Sequence, residues 1–226
     1  MEEFERIEKI IDKNKLKKLR NAKVLIVGIG GVGGYAFEAL VRSGVKNITI
    51  VDADTISKSN INRQIIALQN NIGKTKVDVA KKRAELINPK ATIKTVNEFL
   101  LEDNIDKLFK TKFDYIIDAC DTISTKIALI KKSKEKKIKL ISCMGTGNKI
   151  DPTKLEIIDI RKTNYDPVAK VVRKLLKELQ INDKVMAVCS SEKPIKTNDR
   201  TPGSITTVPA VAGMYCASYI INDCIK

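Results

Sequence analysis

The sequence predicts an α/β protein built on a doubly wound, mostly parallel, Rossmann-like sheet, with a smaller α+β extension at its C-terminal end. Two observations predict this class. Short apolar runs alternate with helical patterns, giving the order β-α-β-α-β-α-β-α-β up to residue 147. In addition, a glycine-rich turn joins the first apolar run directly to the first helical pattern, as in the opening unit of a doubly wound sheet.

The segment 23–54 carries the strongest local signal. An apolar, β-branched run suited to a buried parallel strand leads into Gly28, which begins the spacing G-x-G-x-x-G that ends at Gly33. A helical pattern and a second apolar run follow, and Asp52 stands nineteen positions after Gly33. In such a unit the glycines let the backbone approach a phosphate, the helix N-terminus attracts it, and the acid accepts hydrogen bonds from ribose hydroxyls. We therefore predict that a nucleotide binds here.

The flanking segments extend the alternation. Apolar residues recur near helical spacing in residues 4–20, which predicts an amphipathic helix with lysines on its outer side. The segment 53–64 is rich in Asx and Ser, which indicates a polar loop that begins a short helix at Asn60. A long helix opens at residues 73–76 and ends before Pro89. The elements predicted next are a strand at 92–96, a helix around 103–109, a strand at 113–118, a helix at about 124–136 and a strand at 139–143.

The C-terminal third is less regular, and its last segment is the most apolar. Residues 204–225 predict a terminal helix whose surface is nearly all apolar. Its uncharged run of about eighteen residues is marginal for spanning a bilayer. We therefore expect this helix to be buried in the core or in a dimer interface rather than in a membrane. The other elements predicted there are a strand at 155–160, a basic helix at 167–179, a strand at 184–190 and a loop at 191–203.

Composition excludes several kinds of chemistry. The chain has no histidine, which rules out Ser-His-Asp and Cys-His catalysis and every His-ligated metal site. Its five cysteines form no C-x-x-C pair, and its charged N-terminus lacks the apolar core of a signal peptide, so we expect a reducing cytoplasm. The net charge of +15 fits either a lysine-rich solvated surface or a polyanionic partner such as RNA. Charge alone does not decide between them.

A further set of polar residues lies beyond the glycine turn. Asn60, Arg63 and Lys76 supply one amide and two cations, which suit a triphosphate and the charge that develops during nucleotidyl transfer. Asp121 follows the strand 113–118 at the sheet edge where such folds bind ligands, and it can hold a Mg²⁺ that bridges phosphates. We therefore predict Arg63, Lys76 and Asp121 as catalytic residues. The predicted nucleotide-binding residues are Gly28, Gly30, Gly31, Gly33, Asp52, Asp54, Ser59, Asn60, Arg63 and Lys76.

These motifs carry a resemblance to a known group of enzymes. GIGGVGG, VDADTISKSNINRQ, GKTK and DACD resemble the ubiquitin-activating-like adenylyltransferases, the superfamily of ThiF, MoeB and HesA. The resemblance covers residues 20–147 and implies ATP and Mg²⁺ as cofactors, Asp52 on the ribose and Asp121 on the metal. It also implies a homodimer in which Arg6 enters the partner's nucleotide site. We expect an N-terminal helical segment at 1–22, an ATP-binding domain at 23–150 and a C-terminal extension at 151–226 packed on the same domain.

Segments in the C-terminal part of the chain resemble one smaller group within this superfamily. SCMGTGNKIDPTKLEIIDIRKTNYDPVAKVVRKLL, VCSSEKP and TPGSITTVPAVAG resemble the tRNA threonylcarbamoyladenosine dehydratases of that superfamily. The resemblance implies that ATP activates the threonylcarbamoyl carboxylate on tRNA as an acyl-adenylate, which the neighbouring carbamoyl group closes upon. Carboxylate attack needs positioning and charge neutralisation rather than an enzymic nucleophile, which fits a chain without histidine. The candidate tRNA surface comprises Arg161, Lys162, Lys170, Arg173, Lys174 and Lys177.

Three other functions stay open. The first is an adenylyltransferase for the C-terminal glycine of a ubiquitin-like sulfur-carrier protein, against which the absence of a paired C-x-x-C zinc site argues. The second is a dinucleotide-dependent oxidoreductase, which would have little use for Asn60, Arg63 and Lys76. The third is a nucleotide-binding scaffold without turnover.

The cysteine positions favour packing over sulfur chemistry. Some dehydratases of the resembling group have a cysteine where this chain has residues 199–202, so we do not expect sulfur relay there. Cys189 and Cys120 fit packing better than reactivity. The sequence leaves open the role of Cys189, a sulfur-transfer protein partner, a monovalent cation (Na⁺ or K⁺) and the identity of the tRNAs.

Overall fold

The centre of the molecule is one seven-stranded sheet. The computed structural model describes residues 2–199 and 201–226; Met1, and Arg200 of the predicted loop 191–203, lie outside the described residues. The strands are β1 (Lys23–Val27), β2 (Asn47–Val51), β3 (Thr92–Val96), β4 (Tyr115–Asp118), β5 (Lys139–Cys143), β6 (Leu155–Asp159) and β7 (Met186–Ser190). Their order is β3-β2-β1-β4-β5-β7-β6, and all neighbours are parallel except β6 and β7.

Helices cover both faces of this sheet, which confirms the predicted doubly wound α/β class. The helices are α1 (Glu5–Glu8), α2 (Lys13–Asn21), α3 (Gly33–Arg42), α4 (Lys76–Ile87), α5 (Ile105–Leu108), α6 (Ile123–Glu135), α7 (Pro167–Glu178) and α8 (Thr207–Cys224). Successive residues of β1 point to opposite faces. Val24 and Ile26 pack in a core with α2, α3, α4 and α8, whereas Leu25 and Val27 pack in a core with α5, α6 and α7.

The predicted single helix at residues 4–20 is wrong, because the chain forms two helices there. The carboxylate of Asp12 accepts hydrogen bonds from the backbone N–H groups of Asn14, at 2.8 Å, and Lys15, at 3.4 Å. This is an N-cap, so a new helix begins after Asp12 instead of continuing α1. The second helix, α2, then buries Leu16 and Leu19.

The C-terminal third completes the sheet rather than forming a separate layer. β7 inserts between β5 and β6, and α8 packs in the core on the same face as α3. The expected burial of the terminal helix is confirmed, since Val208, Ala212, Cys216 and Ile220 are fully buried. Among the described residues, no helix is both long enough and apolar enough to cross a bilayer. The domain boundaries at residues 22 and 150 stay a prediction.

The contact between α8 and α3 gives a test of the packing. A Cβ added to Gly213 would lie 2.3 Å from the Val32 carbonyl oxygen and 2.9 Å from the Ala36 nitrogen. Alanine normally stabilises a helix interior by about 1 kcal/mol relative to glycine. Here we expect Gly213→Ala to lower the free energy of unfolding by about 2 kcal/mol, because the clashing atoms are backbone. Urea unfolding followed by circular dichroism measures this difference.

Met214→Ala is the matched control for this substitution. Met214 is the next residue on the same helix and is 42% exposed, so its truncation should change stability by less than about 1 kcal/mol. An unchanged or increased stability of Gly213→Ala would contradict the close helix contact.

Candidate active site

A cavity of about 510 Å³ opens at the carboxyl ends of the parallel strands. Its size suits a small-molecule ligand. Residues from the ends of β1, β2, β4 and β5 line it, as expected for a doubly wound sheet. Nine of the predicted site residues line this cavity: Gly28, Gly30, Gly31, Asp52, Asp54, Asn60, Arg63, Lys76 and Asp121.

The glycine turn has the shape that its spacing predicts. Gly28 has φ +88°, and a Cβ on it would lie 2.6 Å from the Ala119 carbonyl oxygen. A Cβ on Gly33 would lie 1.8 Å from the Gly28 carbonyl oxygen. Gly33 is not one of the residues that line the cavity. Its missing side chain lets the first turn of α3 pack directly against the end of β1.

The end of β2 places two carboxylates and a lysine together. Lys76 is 6% exposed, and its Nζ donates to Asp54 Oδ2 at 2.6 Å and lies 3.7 Å from Asp52 Oδ1. Asp52 also accepts a hydrogen bond from the backbone N–H of Ile29 at 2.6 Å. Asp52 thus holds the glycine turn in place, and its carboxylate oxygens keep lone pairs for a ribose hydroxyl.

The segment after β2 orients an arginine towards the same cavity. Arg63 Nη1 donates to the Ser59 carbonyl oxygen at 2.8 Å and to Asn62 Oδ1 at 2.9 Å. Ser59 does not line the cavity, so its contribution comes through this carbonyl. Asn60 Oδ1 accepts from the backbone N–H of Ser57 at 3.1 Å, and the Asn60 amide nitrogen is therefore the group that can donate to a ligand.

Asp121 follows β4 and is exposed at the cavity wall. Within the described residues, no cluster of three or more His, Cys, Asp or Glu side chains could hold a metal by itself. Mg²⁺ commonly binds through one or two carboxylates together with substrate phosphates and water. A single carboxylate beside a nucleotide site is therefore compatible with Mg²⁺ that arrives with its nucleotide.

A buried ion pair behind Asp121 is not among the residues predicted from the sequence. Lys126 Nζ lies 3.1 Å from Asp118 Oδ2 and donates to the Cys143 carbonyl oxygen at 2.7 Å. Both side chains are almost fully buried. Burial acts to lower the pKa of Lys126, but the Asp118 carboxylate together with the Cys120 and Cys143 thiols outweighs it and holds that pKa above its usual value. The signal in the sequence is an acid inside the apolar strand 113–118, since a buried carboxylate requires a partner.

A second buried pair, also not predicted, supports the loop after β5. Lys149 Nζ donates to Asp166 Oδ2 and to the Gly145 carbonyl oxygen, both at 2.6 Å. Asp166 Oδ1 accepts from the N–H of Ala169 at 2.8 Å and caps α7. Gly145 lines the cavity, so the start of α7 and the cavity wall are fixed by the same carboxylate.

The segment before α8 closes another side of the cavity. Gly203 N–H donates to Asn148 Oδ1 at 2.7 Å, and Asn148 N–H donates to the Gly203 carbonyl oxygen at 2.7 Å. Asn62 Nδ2 reaches the Ser204 carbonyl oxygen at 2.9 Å. Thr201, Pro202, Ser204 and Pro209 line the cavity, so the C-terminal extension contributes directly to the site.

One aromatic residue at the cavity was also not predicted. Phe99 lines the cavity beyond the end of β3 and is 67% exposed. Asn104 Nδ2 donates to the Phe99 carbonyl oxygen at 2.7 Å, and Thr125 Oγ1 donates to the Leu100 carbonyl oxygen at 2.6 Å. These bonds fix the backbone that follows β3 and presents an exposed ring to the cavity, and β3 pairs with β2, the strand that precedes Asp52.

Arg6 is the one predicted residue far from these elements in the chain. It lies on α1, exposed, and is not part of the cavity lining. Its predicted role in a partner's site stays a prediction.

The cysteines have the environment expected for packing. All five are free thiols, and Cys143, Cys189, Cys216 and Cys224 are buried. Burial, together with the Asp166 carboxylate, raises the pKa of Cys189 to about 12. Burial and the Asp118 carboxylate raise the pKa of Cys120 further above its usual range. Neither site favours a thiolate.

Comparison with known proteins agrees with this geometry. The profile of the ThiF family matches residues 4–223. The chain belongs to the ThiF family. It is 40% identical to the tRNA threonylcarbamoyladenosine dehydratase of Bacillus subtilis over 100% of this chain and 96% of that protein. The recognition of this superfamily from the glycine turn and its following motifs is confirmed.

A search of solved structures finds the same overall fold. The crystal structure of Escherichia coli tRNA N6-threonylcarbamoyladenosine dehydratase in complex with ATP matches with a TM-score of 0.93 and 33% identity, covering 99% of this chain and 93% of that one. The molybdopterin-synthase adenylyltransferase of Haemophilus influenzae is 36% identical, but over 60% of this chain and 56% of that protein.

The raised thiol pKa values predict slow cysteine chemistry in the native protein. A thiol of pKa about 12 is ionised to roughly one part in ten thousand at pH 8. We therefore expect iodoacetamide at pH 8 to label Cys189 and Cys216 at least about 100-fold more slowly than free cysteine. Labelling should keep rising with pH beyond pH 9, because a raised pKa moves thiolate formation upward. Mass spectrometry of tryptic peptides measures it.

The same reaction in urea is the control, where all five thiols should react. Rapid labelling of Cys189 in the native protein at pH 7 would contradict the packing role and reopen sulfur chemistry at that residue.

Proposed function

We propose that the protein is an ATP-dependent tRNA threonylcarbamoyladenosine dehydratase, an adenylating enzyme that cyclises a side chain on tRNA. Two findings together carry the proposal. The likeness to the Bacillus subtilis dehydratase runs the whole length of the chain. The cavity that unites the predicted nucleotide residues is also walled by the C-terminal extension, so both halves of the chain take part in one site.

The residues present fit ATP. The glycine turn and the start of α3 present backbone N–H groups to phosphate oxygens. Around an added Cβ on Gly30 the nearest atom is Gln64 Nε2 at 3.7 Å, which leaves space for a ligand against the backbone. Gln64 lines this cavity, and its buried Oε1 has no hydrogen-bond partner among the described residues, which fits a donor supplied when a ligand binds.

The first step joins the threonylcarbamoyl carboxylate to ATP. A carboxylate oxygen bonds to the α-phosphorus, the bond from that phosphorus to the bridging oxygen breaks, and pyrophosphate leaves. Negative charge increases on the phosphate oxygens as this happens. Lys76 and Arg63 stabilise that charge, and Asn60 donates a hydrogen bond to it. Asp121 would hold Mg²⁺, which when bound would supply further charge neutralisation to the phosphates.

The second step closes the ring on the tRNA. The neighbouring carbamoyl group attacks the acyl carbon, the bond to the AMP oxygen breaks, and one proton leaves to solvent. The tRNA loses one water overall. Because the nucleophile is already attached to the acyl group, the protein needs only to position the two groups and to keep water away. This is compatible with a site that offers cations, amides and a carboxylate, and with thiols that do not ionise.

The main alternative is activation of a sulfur-carrier protein. It is disfavoured because the likeness to a molybdopterin-synthase adenylyltransferase covers only 60% of this chain, against the full length for the dehydratase. A cytoplasmic location belongs to the proposal, and the five free thiols support it. A monovalent cation and a sulfur-transfer partner stay open; assays in Na⁺, K⁺ and choline salts test the first.

The proposal also includes a homodimer with Arg6 in the partner's site. α1 carries Arg6 away from its own cavity lining, while the site contains cations from elsewhere in the chain. A guanidinium delivered in trans would add charge neutralisation at the phosphates.

Asp121 gives the direct test of the chemistry. We expect Asp121→Asn to reduce AMP release from ATP and Mg²⁺ by about 10²- to 10³-fold, because the metal loses its protein carboxylate. The assay uses tRNA bearing threonylcarbamoyladenosine, and mass spectrometry of the nucleosides looks for the loss of one water. Asp106→Asn removes another exposed carboxylate, 72% exposed, and should leave the rate unchanged.

The same assay separates the alternatives. AMP formation that requires a carrier protein but not tRNA would replace the dehydratase with the sulfur-carrier adenylyltransferase. ATP binding without AMP formation in any combination would favour a scaffold.

Mixed dimers test the role of Arg6. We expect Arg6→Ala and Asp121→Ala each to be inactive, and their random mixture to recover about one quarter of the wild-type rate. Half of the dimers would contain both variants, and in each of these one site would have both Arg6 and Asp121 intact. Co-expression with two affinity tags isolates the mixed dimer. An inactive mixed dimer would contradict action in trans, and a monomer in light scattering would contradict the dimer itself.

A further inference from the structure

Tyr165 adopts a backbone conformation that is unusual for its side chain. Its φ is +58°, in the left-handed region that bulky residues rarely occupy. The N–H of Asp166 donates to the carbonyl oxygen of Asn164 at 2.7 Å, so Tyr165 is the central residue of a tight three-residue turn. This conformation costs free energy and persists only where the surroundings impose it. The ring that it presents is 58% exposed.

The surroundings that impose the turn belong to the cavity. Asp166, the next residue, pairs with the buried Lys149 at 2.6 Å and caps α7. The same carboxylate approaches the N–H of Gly145 at 3.3 Å, and Gly145 lines the cavity. Tyr165 is therefore joined directly to the residue whose carboxylate supports the cavity wall.

Lys193 places a cation against the exposed ring of Tyr165. Lys193 Nζ lies 5.0 Å from the centre of the Tyr165 ring, within the range of a cation–π contact. Lys193 comes from the segment between β7 and α8, so two separate parts of the chain meet at this ring. The segments that supply this ring and this cation also carry other exposed lysines: Lys162, Lys170, Lys174, Lys177 and Lys196. Arg161 and Arg173, also predicted to face tRNA, are bonded to Asp159 and Thr163.

We propose that Tyr165 and Lys193 form a stacking platform for an unpaired RNA base next to the adenosine that enters the cavity. This rests on the proposed function, since it assumes a tRNA substrate. Single-stranded RNA is bound by aromatic rings that stack on bases and by cations that contact the backbone. An exposed ring with a lysine 5.0 Å from its centre has both features.

The spacing between the platform and the cavity suits a neighbouring nucleotide. Val168 lines the cavity and stands three residues after Tyr165, so their Cα atoms are at most about 11 Å apart. Stacked nucleotides advance about 3.4 Å each, so a separation of this size corresponds to about three stacked nucleotides. We therefore expect the base on the platform to be a few nucleotides from the reacting adenosine.

The absence of tryptophan from the chain makes a direct test possible. Tyr165→Trp creates a single fluorescent reporter at the platform. We expect a synthetic anticodon stem-loop RNA bearing threonylcarbamoyladenosine to quench its emission, with the same half-saturation as the binding measured by RNA anisotropy. A fully paired RNA duplex should not quench it, because stacking needs an unpaired base. Tyr219→Trp, on α8 away from the cavity lining, is the control reporter and should not respond.

Kinetics test the contribution of the ring. Tyr165→Asn removes the ring and keeps the turn, because asparagine tolerates left-handed φ. We expect it to raise the KM for tRNA about 5- to 100-fold with kcat and the KM for ATP unchanged. Tyr165→Phe should retain the wild-type KM for tRNA. Lys193→Gln should raise it by a smaller factor.

The outcomes separate this proposal from the proposed function. If the wild-type protein dehydrates its tRNA, but the RNA does not quench the Tyr165→Trp variant and Tyr165→Asn keeps a normal KM, the platform is wrong and the function stands. If ATP alone quenches the Tyr165→Trp variant, the ring binds a free nucleotide and the RNA platform is overturned. If the wild-type protein neither binds the RNA nor releases AMP with it, both proposals fail.

Discussion

The buried ion pair between Asp118 and Lys126 holds together the strand ends on which the site is built. It joins the end of β4 to α6, and through the Cys143 carbonyl oxygen it also holds the end of β5. Two charges in a low-dielectric interior must stay together, since separating them would leave one uncompensated. A shift of β4 by one residue would turn Asp118 to the opposite face of the sheet, so the pair also fixes the register of the strand. Asp121 follows Asp118 by three residues, and Gly28 of the glycine turn packs against Ala119 and Cys120 between them.

The parts of the molecule that could be predicted from the sequence are those encoded by neighbouring residues. The glycine turn, the seven strands and the convergence of Asp52, Asn60, Arg63, Lys76 and Asp121 on one cavity follow from local patterns and from the rule that parallel strands end at one edge. The predicted bounds of β3 match those observed, because its flanking turn and loop residues are distinct. The predicted helix 4–20 fails, since a single capping carboxylate interrupts an otherwise continuous periodicity.

The parts that could not be predicted depend on contacts between distant residues. Lys149 has the sequence context of a loop lysine, and only its meeting with Asp166 seventeen residues later makes it a buried support of the cavity. Phe99 and Tyr165 have no distinctive sequence context, because nothing in the local sequence tells whether a ring is buried or presented. Lysine is so frequent in this chain that the sequence offers no way to separate the few structural lysines from the many solvated ones.

The strand order carries a consequence for how the chain assembles. Within the described residues β6 pairs only with β7, and β7 lies between β6 and β5. During synthesis the chain emerges from its N-terminal end, so residues 155–159 wait without a strand partner until residues 186–190 have left the ribosome. The cavity is completed later still, because Ser204 and Pro209 form part of its wall. The glycine turn can therefore form early in translation, whereas a competent nucleotide site is among the last features of the molecule to exist.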